Sequence, residues 1–312
     1  MVNLWDKLPT CPTKWTNPRP WGIMPALGGS VGTLYLVATP IGNLEDITLR
    51  ALRVLREASL IAAEDTRHTR TLLTRYDIHT PTTSYFEHNK LAKLDAILAA
   101  LESGDVALVS DAGMPGISDP GYELVRAALE GGFPVVPVPG PSAIVAALAA
   151  SGLPTDAFVY VGFLPRRTGQ RREFLESLLA EQRTLVMYEA PHRLLDTLSE
   201  LLRTLGDRPV AVARELTKIH EEIWRGTVSG AIERFTERTP RGEFTLVVGG
   251  ASEPEQWTEE QVRGALAKLL AAGISARDAA SEVAARSGWS KRNLYRITQS
   301  LTAETQRPQR KT

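Results

Sequence analysis

Asp105-Val106-Ala107-Leu108-Val109-Ser110-Asp111-Ala112-Gly113-Met114-Pro115-Gly116-Ile117-Ser118-Asp119-Pro120-Gly121 carries the decisive pattern. Residues 105–110 form a short apolar run and read as a buried strand. The eleven residues from Asp111 hold three glycines and two prolines. Such a loop is rigid, and its glycines let a ligand approach the backbone closely. A purely structural turn accounts for the same residues equally well. Two other strands run into turns of this kind. The strand over 34–38 ends at Thr39-Pro40, and the strand over 134–138 ends at Pro139-Gly140-Pro141-Ser142. Ser142 is placed to cap the helix that follows, to touch a ligand, or to do both.

Outward from these loops, short strands alternate with amphipathic helices. Asp46 is expected to cap a helix carrying Ile47, Leu49, Leu52, Val54 and Leu55. A strand over 60–63 follows, then helices around Leu72-Leu73 and over 90–101, 122–129 and 142–150. The alternation predicts an α/β layer with a mainly parallel sheet. Ligands of such sheets bind beyond the carboxyl ends of the strands. The loops at Pro40, Asp111 and Pro139 are therefore expected to converge on one edge. A second α/β unit begins near Ala157, with strands over 158–163, 184–188 and 210–213. Segments 224–228 and 244–248 suit an antiparallel arrangement. Residues 252–255 read as a linker and 258–302 as helical. The expected division is an irregular extension over 1–31, α/β subdomains over 32–152 and 153–251, and a helical appendage with a basic tail over 252–312.

Composition narrows the function. The 312 residues are 43% hydrophobic and 23% charged, a core-forming balance. Lysine plus arginine equals aspartate plus glutamate at 36 each, which argues against a protein that coats polyanions with its whole surface. Cys11 is the single cysteine, so neither a disulfide framework nor a cysteine-based metal site exists within the chain, and a reducing, cytoplasmic compartment fits. No metal is expected. No apolar run reaches the roughly 18 residues that span a bilayer, and no membrane role is expected. The first thirty residues hold five prolines and three of the six tryptophans and do not read as a signal peptide. They suit an irregular leader, a docking segment, or a start placed ahead of Met24. The sequence has no G-x-G-x-x-G after a strand and no G-x-x-x-x-G-K-[ST], which disfavours dinucleotide-fold oxidoreductases and P-loop NTPases.

Three charged features remain. Arg166, Arg167, Arg171 and Arg172 surround Gly169 on an expected loop. They suit a grip on a phosphate backbone, or a solvated charge run. Ala284, Gly288 and Leu294 match helix-turn-helix spacing, and Lys291, Arg292 and Arg296 fall on the second helix. That unit is a nucleic-acid contact or a packing cap. Glu64-Asp65-Thr66-Arg67-His68 holds more charge than a strand end needs. Asp65 there orients Arg67 onto a phosphate, or the pair belongs to a subunit interface.

Blocks in order over about 32–250 carry a family resemblance. They are the opening from Gly32 to Thr48, which contains Thr39-Pro40-Ile41-Gly42-Asn43-Leu44-Glu45-Asp46, then Ala63 to Arg70, Ser110 to Gly121, Pro139-Gly140-Pro141-Ser142-Ala143, Tyr188-Glu189-Ala190-Pro191-His192-Arg193, Ala213 to Glu222 and Gly242-Glu243-Phe244-Thr245-Leu246. The sequence resembles the tetrapyrrole methylase-like superfamily, and within it the ribosomal RNA small subunit methyltransferase I family of 16S rRNA cytidine 2'-O-methyltransferases. The resemblance implies two α/β subdomains with a cofactor cleft between them and a small helical appendage. It implies S-adenosylmethionine, held by Thr39, Pro40, Asp111, Ala112, Gly113, Gly116, Ser142, Ala143, Tyr188 and Glu189. It implies a homodimer acting on the ribose of a decoding-centre cytidine in 16S rRNA within the small ribosomal subunit. A weakly acidic ribose hydroxyl is helped by a general base. Lys218, Asp65 and Glu189 are candidates, with His88 and Glu221 behind them. Arg67, the 166–172 arginines and the basic residues of the appendage would contact RNA. The basic segments weigh against a tetrapyrrole substrate, and the intact glycine and proline loops weigh against a non-catalytic RNA binder.

Overall fold

The computed structural model describes residues 31–86, 90–237, 239–251 and 257–305. The extension up to residue 30, His88, the 252–255 linker and the tail beyond 305 lie outside the described residues. The first unit contains β1 (Leu34–Val37), α1 (Leu49–Glu57), β2 (Leu60–Ala63), α2 (Thr66–Arg75) and β3 (Thr82–Ser84). It continues through α3 (Lys90–Ser103), β4 (Val106–Val109), α4 (Tyr122–Glu130) and β5 (Val135–Val138). Its strands pair in the order β3-β2-β4-β1-β5, and every pairing is parallel.

Central β4 is buried along its whole length, as a parallel strand covered on both faces must be. Leu52, Leu55 and Leu72 of α1 and α2 pack on one face. Ile97, Leu101 and Leu124 of α3 and α4 pack on the other. Asp46 does not cap α1. It sits in a short 3-10 turn over Leu44–Asp46, and Ile47 returns to extended backbone before the helix. The cap is Thr48, whose Oγ1 accepts from the Ala51 N–H at 3.1 Å.

Helix α5 (Ala143–Ser151) leaves the first unit and packs Ile144, Ala147 and Leu148 against Val186, Ala211 and Val247 of a second sheet. That sheet is built from β6 (Phe158–Phe163), β7 (Thr184–Glu189), β8 (Pro209–Arg214), β9 (Glu222–Thr227) and β10 (Phe244–Val248), in the order β6-β7-β10-β8-β9. Only β6 and β7 run parallel. β10 is antiparallel to both β7 and β8, and β9 is antiparallel to β8. Helices α6 (Thr168–Glu176), α7 (Leu194–Leu205) and α8 (Val228–Thr236) cover its other face through Leu175, Leu198, Leu201 and Phe235. Helices α9 (Glu259–Ala271), α10 (Ala276–Ser287) and α11 (Lys291–Thr305) share a small core of Val262, Leu266, Val283 and Leu294. Gly288, at φ +68°, makes the left-handed turn between the last two.

The three proline and glycine turns do meet at one edge. Thr39 and Gly113 exchange two backbone hydrogen bonds of 2.9 Å each. Gly113 sits at φ +79°, where a side chain is disfavoured. Gly140 lies so close to β1 that an added Cβ would stand 3.0 Å from the Ala38 Cβ. Gly140→Ala should therefore lower unfolding stability by about 1–3 kcal/mol through overpacking, and Ala38→Gly in that background should recover most of it. Denaturant midpoints check this, and an unchanged midpoint for Gly140→Ala alone would refute the contact.

Candidate active site

A cavity of about 730 Å³ lies where the carboxyl edge of the first sheet faces the second. Ala112, Gly113 and Met114 form one side, and the start of α5 from Ser142 to Ile144 forms another. Tyr160 and Tyr188 stand opposite, their rings edge to face with centroids 5.5 Å apart. Ser142 occupies the N-cap position of α5, yet its side chain makes no cap bond. Burial raises the pKa of both Tyr188 and Tyr160, so the phenols stay neutral. An apolar cleft of this size with a few placed polar groups suits a cofactor.

Six of the ten expected cofactor residues line the cavity: Ala112, Gly113, Ser142, Ala143, Tyr188 and Glu189. Thr39, Pro40, Asp111 and Gly116 are not among its lining residues. Thr39 is buried, and its Oγ1 donates to the Ser110 carbonyl at 3.1 Å. Gly116, at φ +82°, turns the loop back towards Gly121. Asp111 is engaged at α2: it accepts from the Asp65 N–H at 3.0 Å and pairs with His68 Nδ1 at 3.1 Å. It is therefore not the carboxylate that faces a ligand in the cavity.

The expected bases are occupied. Glu189 is buried, and its carboxylate accepts from Thr197 Oγ1 at 2.6 Å and from the Ala190 N–H at 2.8 Å, with Arg193 Nε 3.4 Å away. It braces the loop after β7. Lys218 Nζ donates to Glu215 at 2.9 Å and to Glu243 at 3.0 Å. Burial disfavours its ammonium, but these two bonds outweigh it and raise the pKa, so Lys218 stays charged and cannot accept a proton. Asp65 caps α2 and takes three hydrogen bonds from the Arg67 side chain, which hold its carboxyl well below the usual range. Glu221 accepts from the Thr217 N–H at 2.6 Å.

The arginine segment is only partly a loop. α6 begins at Thr168, leaving Arg166 and Arg167 ahead of it. Arg171 falls one turn before Leu175 and is buried with it, so it is not available to a phosphate. Arg166, Arg167 and Arg172 are exposed. In the C-terminal helices, Arg277, Lys291, Arg292 and Tyr295 surround a second concavity, and Arg296 is exposed beside them. Among the described residues no group of three or more His, Cys, Asp or Glu side chains is placed to hold a metal ion.

Asp119 is the site residue that sequence reading passed over, because Asp119-Pro120-Gly121 has the composition of an ordinary turn. It lines the cavity. Burial first, then the negative charge of Glu64, raises its pKa to about 7. The residue before it, Ser118, has φ +64°, and its Oγ shares a 2.5 Å hydrogen bond with the Tyr160 hydroxyl. A non-glycine residue held at positive φ marks strain that the surroundings enforce.

Thr197→Val should cost about 1–3 kcal/mol by leaving a buried carboxylate oxygen unpaired, whereas Thr197→Ser should cost far less; equal melting temperatures for both would contradict the brace. A carboxyl whose pKa rises on folding stabilises the native state fully below its unfolded value, near 4, and loses that contribution as pH rises through about 7. Asp119→Asn should thus gain stability relative to wild type between pH 4 and pH 8, and parallel melting curves across that range would show the carboxyl to be unperturbed.

Comparison with known proteins fits this geometry. Residues 33–232 match the family model described as Tetrapyrrole (Corrin/Porphyrin) Methylases. A Synechocystis protein named ribosomal RNA small subunit methyltransferase I is 50% identical, covering 88% of this chain and all of its own length. The Bacillus subtilis protein of the same name is 46% identical over 85% of this chain and 93% of its own. Among solved structures, a cobalt precorrin-4 methyltransferase superposes with a TM-score of 0.55 at 19% identity, covering 73% of this chain and 98% of that one. Uroporphyrin-III C-methyl transferase from Thermus thermophilus, complexed with S-adenyl homocysteine, superposes with a TM-score of 0.50 at 23% identity, covering 70% and 97%. These structural likenesses concern the fold.

Proposed function

We infer the reaction from one premise: the chain belongs to the tetrapyrrole methylase family and, within it, to the ribosomal RNA small subunit methyltransferase I family. The reaction is transfer of the methyl group of S-adenosylmethionine to the ribose 2'-oxygen of a decoding-centre cytidine in 16S rRNA. The observation that carries it is the cavity lined by the turns at Gly113 and Pro139-Gly140, the first of them held in place by its backbone bonds to Thr39.

The residues present fit the donor. Gly113 offers backbone with no side chain in the way, and the open Ser142 hydroxyl and first N–H groups of α5 suit its polar groups. The Tyr160 and Tyr188 rings give an apolar face for adenosine. The bound donor supplies an already activated methyl group, so placing the ribose oxygen against it accounts for much of the catalysis.

RNA reaches this cleft along exposed arginines. Arg166, Arg167 and Arg172 carry no carboxylate partner among the described residues. Arg193 donates to the Leu164 carbonyl at 2.8 Å and stands beside Glu189, which ties the start of the arginine segment to the cavity wall. Arg277, Lys291, Arg292 and Tyr295 form a second contact suited to a phosphate and a stacked base. The assembled small subunit in the cytoplasm is the setting, and a homodimer is the acting form.

Labelled donor should transfer to 30S subunits in preference to naked 16S rRNA, with none to a tetrapyrrole. The label should lie on ribose, and label on a base would overturn the assignment. Replacing Arg166, Arg167 and Arg172 together by alanine should lower the slope of log affinity against log salt by about 2, at roughly 0.7 for each phosphate contact on a single strand. An unchanged slope would remove these arginines from the RNA path.

A further inference from the structure

We propose that Asp119 is the general base of this methyl transfer, accepting the ribose 2'-hydroxyl proton from its place inside the cavity. The proposal rests on the methyltransferase reading above. Three carboxylates line the cavity: Asp119, Glu189 and Glu243. Glu189 is consumed by Thr197 and the Ala190 N–H, and Glu243 by Lys218. Asp119 has a hydrogen bond from the Ser110 side chain, but alone of the three it has no ion-pair partner among the described residues.

The backbone holds it there. Ser118 is kept at φ +64° by the hydrogen bond to Tyr160, which comes from the second sheet. The two α/β units are thus clasped one residue from the carboxylate. Gly121, two residues further on, packs so closely on Gly116 that an added Cβ would stand 3.0 Å from the Gly116 Cα, so the return of the loop leaves no room for a side chain there. The raised pKa supports the assignment, since a base is most useful near the working pH. Charged and titratable groups coupled to it are Glu64 and Asp111 at the edge of the first sheet, and Tyr160 and Tyr188 from the second.

In the step, the ribose 2'-oxygen forms a bond to the methyl carbon while the carbon–sulfur bond breaks. The electron pair of that bond goes to sulfur, giving S-adenosylhomocysteine. The hydroxyl proton passes to the Asp119 carboxylate, so the positive sulfonium and negative carboxylate end as two neutral groups.

The test uses the full chain, 30S subunits and labelled S-adenosylmethionine. Asp119→Asn should lower kcat by about 10²- to 10⁴-fold, with donor Kd, read by calorimetry, within about threefold of wild type. Wild-type kcat/KM should fall as pH drops through about 7, and the variant should lack that limb. Asp119→Glu keeps a carboxylate and should run at least tenfold faster than Asp119→Asn, which guards against a loss due to misfolding. A kcat for Asp119→Asn within threefold of wild type would overturn the proposal. So would a loss confined to donor affinity, which would make Asp119 a counter-charge to the sulfonium. An Asp119→Glu rate no better than that of Asp119→Asn would do the same. Wild-type label found off the ribose would overturn the underlying reading instead.

Discussion

The two backbone hydrogen bonds between Thr39 and Gly113 decide where everything else in the site can be. They join the loop after β1 to the loop after β4, two neighbouring parallel strands. Each bond is ordinary in strength, but together they fix the chain at Gly113, where the loop after β4 begins its turn. Gly113 can make them because it tolerates φ +79°. With that bridge closed, Gly140 can lie against Ala38, α5 starts beside Gly113, and the cavity has its first two sides.

The second sheet supplies what the first cannot. Its β7 ends at Tyr188 and Glu189, and its β6 brings Tyr160 across to Ser118. Glu189 looked like chemistry in the sequence, yet its burial with Thr197 and Arg193 makes it a brace. Lys218 likewise serves the junction. Its stem lies over Gly42, and the neighbouring Thr217 Oγ1 accepts from the Asn43 N–H, so the loop after β8 is held against the loop after β1. Ion pairing that secures this contact also removes Lys218 as a proton acceptor.

Much of this was legible from residue order. The parallel first sheet, the antiparallel β9 and β10, and the meeting of three turns followed from apolar runs and from where glycine and proline fall. β3 was not legible, because Thr82-Thr83-Ser84 has no apolar run and forms an edge strand only by pairing with β2. Arg171 was misread because four arginines suggested a loop, whereas Leu175 one turn later was the available sign of a buried helical face. The role of Asp119 depends on Glu64, and on Tyr160 acting through the adjacent Ser118, and Glu64 and Tyr160 come from segments far from it in the chain. No local pattern announces a carboxyl whose properties are set by tertiary neighbours.

A crystal structure of the full chain with S-adenosylhomocysteine tests the central claim most directly. The account predicts the adenosyl group inside the cleft, with Gly113 backbone and the start of α5 on one side and Tyr188 on the other. A ligand seated on any other surface, with this cleft left open, would contradict it.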